Sequence, residues 1–197
     1  VVSNMRKTTF TIIILFFFQS VIAQNELYVP FDKGETDFPK GVDQFWAKVY
    51  TEFLIALKED KIDTLKTKKE IYRFLWLRTF HNPIVIRIEK NNKETTLFWK
   101  RSNGEGGYDA GKIVENKSIK LTQKEWSEFK ELLNNSKFWK NPSIKNDRNI
   151  IPATDGAQWV LEGIKTNEYH ISEINVFKPC LYLIKLTKMN IPKNEIY

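Results

Sequence analysis

The stretch from Ile71 to Lys100 constrains the fold more than any other part of the chain. It holds three runs of aromatic and β-branched residues separated by two short breakers. At period two, Ile71 to Phe80 puts Tyr72, Phe74 and Trp76 on one face of a strand. His81-Asn82-Pro83 interrupts it. Ile84-Val85-Ile86-Arg87-Ile88 is a β-branched strand, Asn91-Asn92-Lys93 is a turn, and Thr95 to Lys100 returns as the hairpin partner.

The remaining pattern supplies helices to cover such a sheet. From Val42 to Lys58, Val42, Phe45, Trp46, Val49, Phe53 and Leu57 recur at three and four residues, which predicts an apolar helical stripe. Asp60 to Lys69 is polar, and Thr67-Lys-Lys-Glu70 has capping-box spacing without a helical pattern behind it. Ser102 to Gly111 is a Gly-rich loop, followed by a short strand near Lys117–Leu121. Thr122-Gln-Lys-Glu125 is a capping box that opens a helix to about Asn134, with Trp126, Phe129 and Leu133 inward. Asn141 to Thr154 is polar and punctuated by proline. Ala157–Ile164 and Tyr169–Val176 read as a hairpin around Lys165–Glu168. A last helix, ending near Met189, carries Phe177, Cys180, Leu181 and Ile184 on one face. Strand runs flanked by segregated helices give an α+β fold, a mainly antiparallel sheet of five to six strands with three packed helices.

Residues 5–23 carry a different signature. Arg6-Lys7 precedes the uncharged Ile12-Ile13-Ile14-Leu15-Phe16-Phe17-Phe18, and Val21-Ile22-Ala23 closes the run. Basic, apolar and small residues in that order predict a secretory signal peptide cut before Gln24. A membrane anchor needs about 20 apolar residues, whereas Gln19 and Ser20 break this run. The expected organisation is a signal peptide over 5–23, an irregular arm over 24–40 and a single α+β domain over 41–190. The mature product is expected to be exported, periplasmic or secreted, and soluble. One Cys in the whole chain excludes an intrachain disulfide. On an apolar helical face its thiol is expected to be buried and inert. The net charge of +7 comes from dispersed Lys. Nucleic-acid faces favour clustered Arg with aromatics, so no specific nucleic-acid partner is expected.

Asp155-Gly-Ala-Gln-Trp159, Glu162-Gly163 and Tyr169-His170 form a recognisable series. With them go Arg78-Thr-Phe-His81-x-Pro83, Gly104-x-Gly106-Gly107-Tyr108-x-x-Gly111, Glu125-Trp126 and Phe138-Trp139. Over residues 71–188 the chain resembles an uncharacterised bacterial family of secreted or periplasmic domains. The resemblance implies no established activity. It departs from the pattern after Tyr169-His170, where the family's Arg-Trp-Ser-Pro-like stretch is missing and Ile171 to Phe177 runs directly into the last helix.

The candidate ligand-binding residues are Tyr108, Asp109, Asp155, Trp159, Glu162 and His170. Each also has a structural reading. His81 and His170 are the only histidines, and catalytic zinc takes three protein ligands. His170 and Glu173, three apart on a strand, face opposite ways. The Gly104–Gly111 loop lacks the following helix and the Gly-Lys-Ser/Thr of a phosphate loop, so its glycines read as turn residues, although Tyr108 and Asp109 can still touch a ligand. Asp155-Gly156 is an Asx turn before a strand. Asp109, Asp155 and Glu162 offer carboxylates for glycoside cleavage, which needs two acids at a set separation. The many aromatics are mostly core residues, with Trp159 able to line a groove. No catalytic residue, metal site or cofactor is assigned. The expected function is a non-enzymatic binding or interaction protein of the cell envelope, its partner a protein or small ligand. The alternative is a hydrolase acting on an envelope polymer, glycan or peptide through Asp155, Glu162 or His170.

Overall fold

Every strand expected from the alternation forms, and all pair antiparallel. A computed structural model describes residues 26–30, 42, 44–143 and 156–197. The signal-like segment 5–23, most of the arm and Asp155 lie outside the described residues. Helix α1 (Gln44–Ala56) leads into strands β1 (Glu70–Arg78), β2 (Ile84–Lys90), β3 (Thr95–Ser102) and β4 (Ile113–Leu121). Helix α2 (Gln123–Asn135), strands β5 (Ala157–Lys165) and β6 (Glu168–Ser172), and helix α3 (Phe177–Thr187) follow. The six strands form one sheet in the order β4-β3-β2-β1-β5-β6. The fold is α+β, as expected.

β1 lies inside this sheet and is buried along nearly its whole length. Its two faces serve two layers. Tyr72, Phe74 and Trp76 share a core with Ile84, Ile86 and Leu97 of the sheet, Phe129 and Leu133 of α2, and Cys180 and Leu183 of α3. Leu75 and Leu77 face the other way, against Ala47, Tyr50, Leu54 and Leu57 from α1 and its end. The capping box at the start of α2 is complete: Glu125 N donates to Thr122 Oγ1 (3.2 Å) and Thr122 N to Glu125 Oε2 (2.7 Å). That exchange satisfies N–H groups which a helix start otherwise leaves unpaired. Thr67 caps no helix; its hydroxyl accepts from Lys69 N at 3.0 Å just ahead of β1.

Two expectations are corrected. Phe45 of the expected α1 stripe is 63% exposed. Val42, Phe53 and Leu57 are buried as expected, Trp46 and Val49 pack against the same cluster, and Ala47, Tyr50, Thr51 and Leu54 widen the inward face. Tyr50 donates to Glu173 Oε1 (2.7 Å) and Thr51 to the Ala47 carbonyl (2.7 Å). β4 begins at Ile113 rather than near Lys117. It is an edge strand with most side chains partly or fully exposed, so its first half carries no apolar alternation. Cys180 is fully buried, and burial pushes its thiol up.

Candidate functional site

Arg78 ends β1 on the face that carries Tyr72, Phe74 and Trp76, where a side chain two residues beyond Trp76 must point. Arg101 repeats the arrangement on β3, two residues beyond buried Leu97 and Trp99. β2 brings the two together: Ile84 pairs with Trp76 on one side and with Arg101 on the other. Past the end of α3, residues 187–192 and Glu195 wall off this corner of the sheet. The result is a cleft of about 630 Å³ whose lining is mainly polar.

Arg78 is 3% exposed, and its guanidinium lies 4.2 Å from the Trp76 ring centre. Nη1 donates to both the carbonyl and Oε2 of Glu195, each at 3.2 Å, and Nη2 to the Asn82 carbonyl at 3.3 Å. Its Nε has no partner among the described residues, nor has the Nε of Arg101. Burial lowers the pKa of Arg78 from its ordinary value, and Glu195 opposes that shift. Across the cleft, Glu115 accepts from Trp99 Nε1 (3.1 Å) and pairs with Lys117 (3.0 Å) and Arg101 (3.2 Å). Burial favours its neutral form, but these donors outweigh burial and hold the carboxyl below its usual range. His81 closes the rim, with Nδ1 2.9 Å from the Tyr197 hydroxyl.

This chemistry suits holding a ligand. Both Glu115 and Glu195 are engaged by arginine, so neither is a free base. The hydroxyl of Thr187 is committed to the Ile184 carbonyl at 2.7 Å. Among the described residues no group of three His, Cys, Asp or Glu could hold a metal ion, and no helix is long and apolar enough to cross a membrane.

None of Tyr108, Asp109, Trp159, Glu162 and His170 lines this cleft, though Arg78, Phe80, His81 and Gly104 of the quoted series do. Tyr108 is 70% exposed beside Phe80 and borders a smaller hollow of about 210 Å³ with Trp46. Asp109 accepts from Gly111 N (3.1 Å), an Asx turn that fits Gly111 at φ +62°. Trp159 packs 5.2 Å from Phe74 and 4.7 Å from Phe177, and its Nε1 donates to the Tyr197 carbonyl at 2.8 Å. Glu162 is fully buried and paired with Arg73 at 2.7 Å, and it accepts from the Tyr169 hydroxyl at 2.8 Å. His170 lies on the opposite face, edge-on to Phe138 at 4.9 Å. Its β5 partner Gly163 pairs with Tyr72. Tyr72 and Arg78 are six strand residues apart, so His170 and the cleft are separated by roughly 20 Å.

The glycine beside Glu162 also has a packing reason. A Cβ at Gly163 would approach the Tyr72 and Phe138 rings to 2.8–2.9 Å. The cleft residues did leave a signal in the sequence: Arg78 and Arg101 each occupy the next position of an otherwise apolar, period-two face. No protein-family model matches the chain, and no curated protein matches it.

Proposed function

We propose that this chain is an exported, non-enzymatic binding domain of the bacterial cell envelope, and that it takes a small polar ligand into the cleft between Arg78 and Arg101. The observation that carries the reading is a roughly 630 Å³ cleft holding a buried arginine whose Nε is left without a partner. Buried polar groups are normally satisfied, and an exception inside a concave site marks a place for a ligand. Export rests on the order of basic, apolar and small residues over 5–23. A lone thiol buried in Cys180 is compatible with an oxidising compartment. Membership of the uncharacterised bacterial family is part of the same proposal and rests on the series Asp155–Trp159, Glu162-Gly163 and Tyr169-His170 in the sequence.

The test uses Trp99, which lines the cleft, as the reporter. The protein is titrated with envelope-derived peptide and glycan fragments while their masses are followed. Saturable change in tryptophan fluorescence with unchanged fragment masses is expected. Any cleavage of the fragments would replace the binding reading with the hydrolytic one.

A further inference from the structure

Glu195 is a poor partner for the cation it covers. Close charge-assisted N–H···O bonds are about 2.7–2.9 Å long, whereas both contacts from Arg78 Nη1 to Glu195 measure 3.2 Å. Both fall on the same nitrogen, so the paired fork that guanidinium offers a carboxylate is unused. Arg78 Nε is buried without a hydrogen-bond partner among the described residues, and so is Arg101 Nε on the neighbouring wall. Arg101 is close enough to oppose the positive charge on Arg78.

The segment bearing Glu195 is short, anchored by Ile191 and Ile196 against the core, and its carboxylate also lies 3.6 Å from His81 Nε2. It is a single helical turn, Lys193–Glu195, following Pro192. The Glu195 side chain is 30% exposed. Beyond it, Tyr197 is tied to His81 through its hydroxyl and to Trp159 Nε1 through its carbonyl. With Glu195 moved away, Arg78, Arg101, Lys117 and Lys188 would face only Glu105 and Glu115 in the cleft.

We infer that the cleft binds a small carboxylate, and that Glu195 is its built-in stand-in on Arg78. The inference rests on the binding-domain reading above. A ligand carboxylate takes the Nε and Nη edge of Arg78, Arg101 receives a second polar group of the ligand, and the Glu195 side chain swings off the guanidinium while Ile196 and Tyr197 stay docked. No covalent step is involved. Affinity is set by competition, because the binding-competent form is the fraction in which Arg78 is not occupied by Glu195.

The full chain is titrated with succinate, its uncharged diamide succinamide, and inorganic phosphate, by calorimetry and tryptophan fluorescence. Succinate binds and succinamide does not. Glu195→Gln, which keeps the shape and removes the competing charge, tightens succinate binding about three- to tenfold. Arg101→Ala weakens it about tenfold. Equal affinity in Glu195→Gln and wild type overturns the exchange. Phosphate binding tighter than succinate, or no succinate binding by either chain, overturns the ligand class. Succinamide binding that Arg101→Ala abolishes also overturns the carboxylate class, yet leaves the binding domain standing. Cleavage of envelope fragments would instead remove the binding reading itself.

Discussion

Arg73 and Glu162 show how little a buried charge by itself says about function. They sit opposite each other in the β1–β5 register and are essentially without solvent exposure. A carboxylate removed from water persists when its oxygens are matched. Arg73 takes one oxygen and the Tyr169 hydroxyl the other. Burial pushes the Glu162 carboxyl up, against the pull of Arg73 and Tyr169. Glu162 is therefore a fastening between strands, although as a carboxylate alongside Asp109 and Asp155 it is also a candidate site residue. Glu162→Ala leaves the Arg73 guanidinium uncompensated and is expected to cost about 3–5 kcal/mol. Urea unfolding at neutral pH measures that cost. Succinate affinity of the folded fraction should be unchanged, whereas a ligand-contacting Glu162 would alter it.

At the level of elements, the β5–β6 hairpin carries a local conflict. Its two connecting residues, Thr166 and Asn167, have φ of +49° and +63°. Left-handed backbone at both central positions matches the twist of the strands. Asn tolerates that region, but β-branched Thr pays for it in strain. Replacing the pair by Asn-Gly is expected to stabilise the protein by about 0.5–1 kcal/mol, read as a raised urea midpoint with an unchanged slope. Such turns, the alternating strands and the α2 capping box were legible because each depends on neighbours in sequence. On α1 and its end the stripe through Val49, Phe53 and Leu57 was legible too, whereas the burial of Tyr50 was not, since its partner Glu173 lies 123 residues away. The cleft was less legible still. It needs the ends of β1 and β3 to meet through β2, and then a segment from beyond α3 to close over them. Arg78 and Arg101 could be picked out singly as charges on apolar faces, but their convergence follows from strand order.

On the scale of the whole molecule, the two layers on the sheet are built differently. The α2–α3 side is mainly aromatic, with Tyr72, Phe74, Trp76, Phe129 and Phe138 fully buried, and carries the polar cleft at one end. The α1 side is laced with charge: Glu59 bonds Arg87 (2.8 Å) and Lys100 (2.6 Å), and Tyr50 bonds Glu173 (2.7 Å). Response to pH enters on both sides, through Glu115 in the cleft and Glu173 beside α1. Glu173 makes the simplest case, because burial raises its carboxyl pKa and the Tyr50 hydroxyl only partly offsets this. A carboxyl raised in the folded state keeps its proton at pH values where the unfolded chain has released it. Its contribution to stability is thus fully present below the unfolded pKa near 4.5 and declines as pH rises through the folded value. Glu173→Gln keeps an acceptor for Tyr50 and removes the ionisation. The variant should match wild type near pH 4 and become progressively more stable than wild type towards pH 7. Urea midpoints across that range decide the matter. A difference that is constant with pH would mean that Glu173 ionises as freely in the fold as outside it, and that the α1 layer is held without a charge penalty at this point.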